Sequence, residues 1–299
     1  MYCNARKYGV IFVLLPFLVC SQSKVDTFFT VSDTLNKSRR NTVLISEAVV
    51  STATIVGLST LWYADYEQSK FHTTNDNNEW LQLDKMGHAF TAYQMGKHGA
   101  QLLNWSGVNK NEQLIYGATL GFTFLSAVEV LDGFSQEWGF SWGDILANAA
   151  GTGLYVGQEL LWKEQRIHLK YSFHHTYFAN QNPNKLGQTY IEQFLKDYNG
   201  QTYWLSFNLH SFFKDSNLPK WLNLAVGYGG KGMINGVENA SFLGDRYRQF
   251  FISFDLNLDV INTNSKWLNT LFEVFNMIKI PFPTLEFSKK RGVFYLFYY

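Results

Sequence analysis

The chain has 299 residues, a formal net charge of +1, 17% aromatic residues and a mean hydropathy of −0.15. That length fits one large domain or two modest ones. The near-zero charge argues against a nucleic-acid partner, and the low hydropathy argues against a chain made only of lipid-exposed helices. A membrane-facing sheet with a polar inner face is compatible with both figures.

The N-terminus reads as an export signal over residues 1–21. Arg6 and Lys7 precede an apolar run over residues 9–19, which is too short to cross a bilayer. Cys3 and Cys20 are the only cysteines, so cleavage after Ser21 would leave a mature chain without a thiol. Leu18-Val19-Cys20 loosely resembles a lipidation signal, although Val19 stands where a small residue is usual.

Residues 22–41 are polar and read as a linker. Residues 42–62 are almost wholly apolar and long enough to cross a membrane. Residues 65–78 form a charged, Asn-rich loop. Three further helices are expected over residues 83–103, 112–130 and 142–162, so that residues 42–163 form a bundle of about four helices. In the last helix Ala149, Gly153 and Gly157 make a stripe of small residues on which another backbone could pack closely.

From Arg166 the period changes to two. Phe250, Ile252, Phe254, Leu256, Leu258 and Val260 share one face of a segment over residues 246–261, and Ser253, Asp255, Asn257 and Asp259 share the other. The same alternation occurs over residues 167–173, 203–209 and 222–228. The chain ends on Val293-Phe294-Tyr295-Leu296-Phe297-Tyr298-Tyr299, which resembles the last strand of bacterial outer-membrane barrel proteins. Residues 266–280 read as an amphipathic helix stopped by Pro281 and Pro283. About five or six strands are expected in residues 164–299, fewer than the eight of the smallest closed bacterial barrels. The expected fold is therefore α+β: an N-terminal helical bundle, then an antiparallel sheet or partial barrel with an amphipathic helix. His168, His174, His175 and His210 fall in or beside the strands and are expected to be solvated or lumenal.

Candidate chemistry is confined to the helical half. Asp84 and His88 lie one turn apart on a helix, as do Asp144 and Asn148. With Lys85, Tyr93, Glu129, Asp132, Gln136 and Ser141 they form a set of polar residues in otherwise apolar surroundings. The order Asp84-Lys85-x-x-His88-x-x-x-x-Tyr93, then Glu129 and Gln136, then Ser141-x-x-Asp144-x-x-x-Asn148-x-x-Gly151, resembles the helical core of VanZ-like membrane proteins. Trp138-Gly139-x-Ser141 and the strand-rich tail extend a resemblance to the YfiM-like predicted periplasmic lipoproteins of unknown function, in the long form of Bacteroidetes-type bacteria. The resemblance implies an envelope location and no established reaction. The spacing from Glu129 to Gln136 is longer than in the VanZ-like arrangement.

Three physical roles are open to this set. It can be a hydrogen-bonded network that fixes helix register. It can converge on a divalent metal through His88, Glu129, Asp132 and Asp144, although no paired-histidine spacing sets the geometry. Or His88, with Glu129 and Asp144, can act as an acid-base group on a lipid or glycan headgroup. The network is the expected role, so no cofactor and no catalytic residue is assigned. The expectation is a non-enzymatic envelope protein at the outer membrane or the periplasmic face, with membrane lipid as its partner and no protein partner specified. A channel would require Ser253, Asp255, Asn257 and Asp259 to line an open lumen.

Overall fold

The computed structural model describes residues 25–62, 66–237, 245–289 and 292–298. The export signal, both cysteines and Tyr299 lie outside the described residues.

Helix α1, Lys37–Gly57, starts inside the expected linker because Asn36 caps it, its side chain accepting from the Arg39 amide at 3.0 Å. Only Val43 of this helix is buried, while Leu44, Ile45, Val49, Val50 and Val56 are exposed. Together with its continuation to Thr60 it is long and apolar enough to cross a membrane by length and composition.

A two-residue strand β1 (Thr73–Thr74) follows, and then helix α2 (Leu83–Trp105). A short wide turn at Gln113–Gly117 interrupts the next helical run, which continues as α3 (Leu120–Asp132). Strand β2 (Phe140–Ser141) leads directly into α4 (Trp142–Leu161) and pairs with β1 in parallel, tying the Asn-rich loop to the start of α4.

Helix α2 is the centre of the bundle. Its close neighbours are made possible by glycines: a Cβ on Gly151 of α4 would stand 2.0 Å from the Ala89 carbonyl of α2, and one on Gly121 of α3 2.4 Å from the Ala92 carbonyl. The expected stripe is not the one used. Ala149 is exposed, and a Cβ at Gly153 or Gly157 would meet nothing within 4 Å. The face that carries Gly151 also carries Asp144 and Asn148, and that face turns inward.

The C-terminal half is a six-stranded antiparallel meander: β3 (Ile167–Phe173), β4 (Gln201–Asn208), β5 (Leu222–Lys231), β6 (Tyr247–Leu256), β7 (Phe282–Ser288) and β8 (Gly292–Tyr298), in that order. Helix α5 (Tyr190–Lys196) lies between β3 and β4, and α6 (Lys266–Phe275) between β6 and β7. Strand β6 stops at Leu256, before Leu258 and Val260, because Asn257 turns the chain: its side chain accepts from the Asp259 amide at 3.2 Å. Helix α6 ends at Phe275, short of Ile280, and buries no residue fully.

The sheet curls. Tyr298 of β8 reaches Thr202 of β4, hydroxyl to hydroxyl at 3.0 Å, and its ring packs on Phe251 and Trp204. The free edge of β3 is covered by the segment after α6: the Tyr171 amide donates to the Met277 carbonyl, and the Lys279 amide donates to the Tyr171 carbonyl, each at 2.9 Å. Around the Trp204, Phe251 and Tyr298 rings the inside of the curl is polar. Lys170, Ser206, Asn223, Asp255 and Thr284 have no more than traces of exposed surface. Ser253, Asp255, Asn257 and Asp259 bond to Thr284, Lys170, Asn276 and Lys97 instead of lining an open bore. His168 is buried there too, on the inner face of the sheet, the second of the two places expected for it.

The outside is apolar. Leu205, Val226, Ile252, Leu285 and Phe294 are directly paired neighbours on β4 through β8, and all five are exposed. The adjoining row, Ser206, Ala225, Ser253 and Thr284, is buried. An ordinary half-buried sheet has the opposite arrangement, with apolar residues inside.

Candidate functional site

The polar set of the helical half meets between α2, α3 and α4. Asp84, Lys85 and His88 come from the first two turns of α2, Glu129 from the end of α3, and Asp144 and Asn148 from the start of α4. Ser141 caps α4, its hydroxyl accepting from the Asp144 amide at 3.2 Å. The same hydroxyl donates to Asp76 of the Asn-rich loop at 2.7 Å.

Helix α2 is aimed by an unusual approach. Trp80, Leu81 and Gln82 have φ of 46°, 53° and 64°, a left-handed turn made by three side-chain-bearing residues. Each costs roughly 1–2 kcal/mol. The turn is clamped from the sheet side: the Trp80 amide donates to the Gly236 carbonyl at 2.8 Å, Arg248 donates to the Gln82 side chain at 2.6 Å, and the Tyr228 hydroxyl donates to the Leu81 carbonyl. The strand half thus fixes where Asp84 and His88 point.

Lys85 Nζ is the fixed cation of the cluster. It stands 2.7 Å from Asp76, 3.2 Å from Asp84 and 2.8 Å from Asp144. Burial opposes its charge, but Asp84 first, with Asp144 and Asp76, outweighs that and holds it protonated well above the usual lysine range. Burial likewise opposes charge on Asp84, yet His88, Lys85 and the Tyr198 hydroxyl hold its carboxyl below the usual range. Tyr198 donates to Asp84 Oδ1 at 2.8 Å, a contact across 114 positions of sequence.

His88 Nδ1 lies 3.0 Å from Asn148 Oδ1. Its Nε2 faces Glu129 Oε1 at 3.6 Å and Asp144 Oδ1 at 3.8 Å, both too long for a hydrogen bond. Burial opposes charge on the imidazole, but Asp84, Asp144 and Glu129 outweigh it and raise its affinity for a proton. Glu129 and Asp144 move the other way from normal carboxylates. Burial, together with the neighbouring carboxylates, pushes Glu129 up to about 8 and Asp144 up to about 7. Glu129 is held through its other oxygen, which accepts from the Ser141 amide at 3.1 Å.

Beside the cluster is a cavity of about 570 Å³. Asp84 and His88 form part of its wall, and Phe90, Tyr171, Phe194 and Tyr203 supply much of the rest.

Of the residues singled out from sequence, Asp84, Lys85, His88, Glu129, Ser141, Asp144 and Asn148 come together. Tyr93 does not join them. It is fully buried further along α2, its hydroxyl 3.3 Å from Gln165 Oε1 and from the Ile167 carbonyl. Gln136 is exposed on the loop after α3, where its amide donates to the Glu67 carbonyl at 2.9 Å. Asp132 is half-buried; its carbonyl accepts from the amides of Ser135 and Gly139, and its charge bears on Glu129. Asp76 and Tyr198 complete the cluster and were not among the sequence candidates. An aspartate in a charged loop and a tyrosine in a distant segment carry no local signal.

Residues 71–158 match the family model described as predicted periplasmic lipoprotein (DUF2279). That stretch runs from the Asn-rich loop to the last turn of α4 and contains every member of the cluster except Tyr198. No curated protein and no solved structure matches the chain. The family match fits an exported, envelope-associated protein of uncharacterised role.

Proposed function

We propose that this is a non-enzymatic protein of the outer membrane, in contact with lipid through the outward face of its sheet and with a binding or structural role there. The inverted sheet carries the reading. Five directly paired apolar residues, Leu205, Val226, Ile252, Leu285 and Phe294, face outward, while charged and hydroxyl side chains share the inside with Trp204, Ala225, Phe251 and Tyr298. Water around such a surface is costly at about 25 cal/mol per Å² of apolar area, and lipid removes that cost. The exposed apolar flank of α1 supports the same reading, as do the aromatic last strand and the resemblance to YfiM-like and VanZ-like proteins. In the helical half the cluster then serves to hold α2, α3 and α4 in register.

The experiment is fractionation of cells expressing the wild type and a variant carrying Ile252→Asp and Leu285→Asp. The wild type is expected in the outer-membrane fraction. The variant, folded by circular dichroism, is expected in the soluble fraction. Wild-type protein in the soluble periplasm contradicts the proposal.

One observation favours a second reading, an enzyme acting on a lipid or glycan headgroup: the cavity whose wall includes His88 and Asp84. In that case His88→Ala abolishes a cellular phenotype at an unchanged protein level. Loss of the protein itself supports the structural role.

A further inference from the structure

We propose that His88, Glu129 and Asp144 bind one divalent transition-metal ion, with the Asp84 carboxylate at its open side toward the cavity. This inference is independent of the lipid contact and survives or fails separately from it.

The geometry points there in three ways. First, the facing atoms are spaced as ligands and not as hydrogen-bond partners. His88 Nε2 is 3.6 Å from Glu129 Oε1 and 3.8 Å from Asp144 Oδ1. Two ligands about 2.0–2.2 Å from a shared tetrahedral ion stand roughly 3.3–3.6 Å apart, within a few tenths of an ångström of these separations. Atoms of Asp84, His88 and Asp144 also lie within 4.8 Å of one another.

Second, each ligand is oriented through its other polar atom. Asn148 Oδ1 can only accept, so it takes the proton of His88 Nδ1 at 3.0 Å and leaves the Nε2 lone pair facing the carboxylates. The Ser141 amide holds Glu129 Oε2 at 3.1 Å, and Lys85 holds Asp144 Oδ2 at 2.9 Å. Outer partners of this kind fix metal ligands in general.

Third, Asp144 is 3% exposed, and its Oδ1, which faces His88 Nε2 at 3.8 Å, has the Lys85 ammonium at 2.8 Å on its other side. Four carboxylates, those of Asp76, Asp84, Glu129 and Asp144, here gather around one lysine and one imidazole. One imidazole with carboxylate oxygens suits zinc, manganese or iron.

The test uses the full-length protein, stripped with chelator and titrated calorimetrically with zinc chloride, manganese chloride and calcium chloride. One equivalent of zinc or manganese is expected to bind, calcium much more weakly, and H88Q and E129Q are expected to lose about 100-fold or more in affinity. Failure of the wild type to bind either transition metal overturns the proposal, as does wild-type affinity in a folded H88Q. Should H88Q not fold, cobalt(II) is added to the wild type and the His88 ring followed by nuclear magnetic resonance. Paramagnetic displacement of that ring supports the site, and an undisplaced ring overturns it.

Discussion

Lys170 of β3 and Asp255 of β6 form an ion pair of 2.8 Å across the inside of the sheet, and neither has any exposed side-chain surface. Two strands separate them in the sheet order, so the pair can form only because the sheet curls. Ser206 and Asn276 complete its surroundings, donating to Asp255 at 2.7 Å and accepting from Lys170 at 2.8 Å. Buried charge of this kind shares the inside with Trp204, Ala225, Phe251 and Tyr298, and the remaining apolar residues of these strands face outward.

The Lys170–Asp255 pair should therefore behave as a buried pair does. Lys170→Met alone leaves an uncompensated carboxylate and should destabilise the fold by about 3–5 kcal/mol. The double variant with Asp255→Leu should recover most of that loss. Denaturant unfolding in detergent measures both, and equal losses in single and double variants would contradict the account.

Lys85 should be as sensitive. It meets Asp76, Asp84 and Asp144 at 3.2 Å or less, so Lys85→Ala isolates three carboxylates and should cost at least about 3 kcal/mol. A melting temperature within a degree or two of the wild type would show that the cluster does not hold the bundle together.

Gly151→Val tests the helix crossing. Its Cβ would stand 2.0 Å from the Ala89 carbonyl, and backbone cannot step aside as a side chain can. The loss should be about 1–3 kcal/mol or more. Gly153→Val, with nothing within 4 Å of its Cβ, should stay within about 0.5 kcal/mol of the wild type. The comparison is made by thermal unfolding of the two variants side by side.

Stability should fall as pH rises through neutrality. Glu129 and Asp144 have folded values raised to about 8 and about 7 from ordinary values of 4.5 and 3.8. The folded protein thus keeps protons that the unfolded chain releases. Their stabilisation is complete below about pH 4 and lost as pH rises through 7 and 8. His88, also raised, acts in the same direction, its contribution being complete below 6.5 and lost above its folded value. Asp84, lowered, opposes this only in acid, where its stabilisation disappears as pH falls below 3.8. His168, pushed down to about 3, and Lys279, pushed down to about 8, both by burial, oppose this below about pH 6.5 and above about pH 8. Melting temperatures in chelator should therefore decline from about pH 6.5 to about pH 8, and Glu129→Gln should flatten that decline. A melting temperature that climbs over this range would contradict the assignment.

Much of this was legible in the sequence because the two halves differ in period. Strict alternation in β6 marks Ser253 and Asp255 as one face and Ile252 and Phe254 as the other, and the structure keeps that division. The helix positions of Asp84, His88, Asp144 and Asn148 follow from four-residue spacing alone. Alternation cannot say which face is inside, because that depends on where the sheet curls. Strand β7 was hidden by Pro281 and Pro283, residues that normally end an element. Pro283 is tolerated because it lies at the register shift between Phe282 and Thr284, where the pairing with β8 is interrupted. Tyr198 and Asp76 reach the cluster only through tertiary contacts, and Gly151 was passed over for the more regular stripe of Ala149, Gly153 and Gly157.

The central claim, an apolar sheet face against lipid, is tested most directly by spin labels at positions 250, 252 and 254 and at 251, 253 and 255, in protein reconstituted into outer-membrane lipid. The account predicts that labels at 250, 252 and 254 are reached by oxygen dissolved in the bilayer and shielded from a water-soluble nickel chelate. It predicts that 251, 253 and 255 are reached by neither. Ready access of the nickel chelate to 250, 252 and 254 would contradict it.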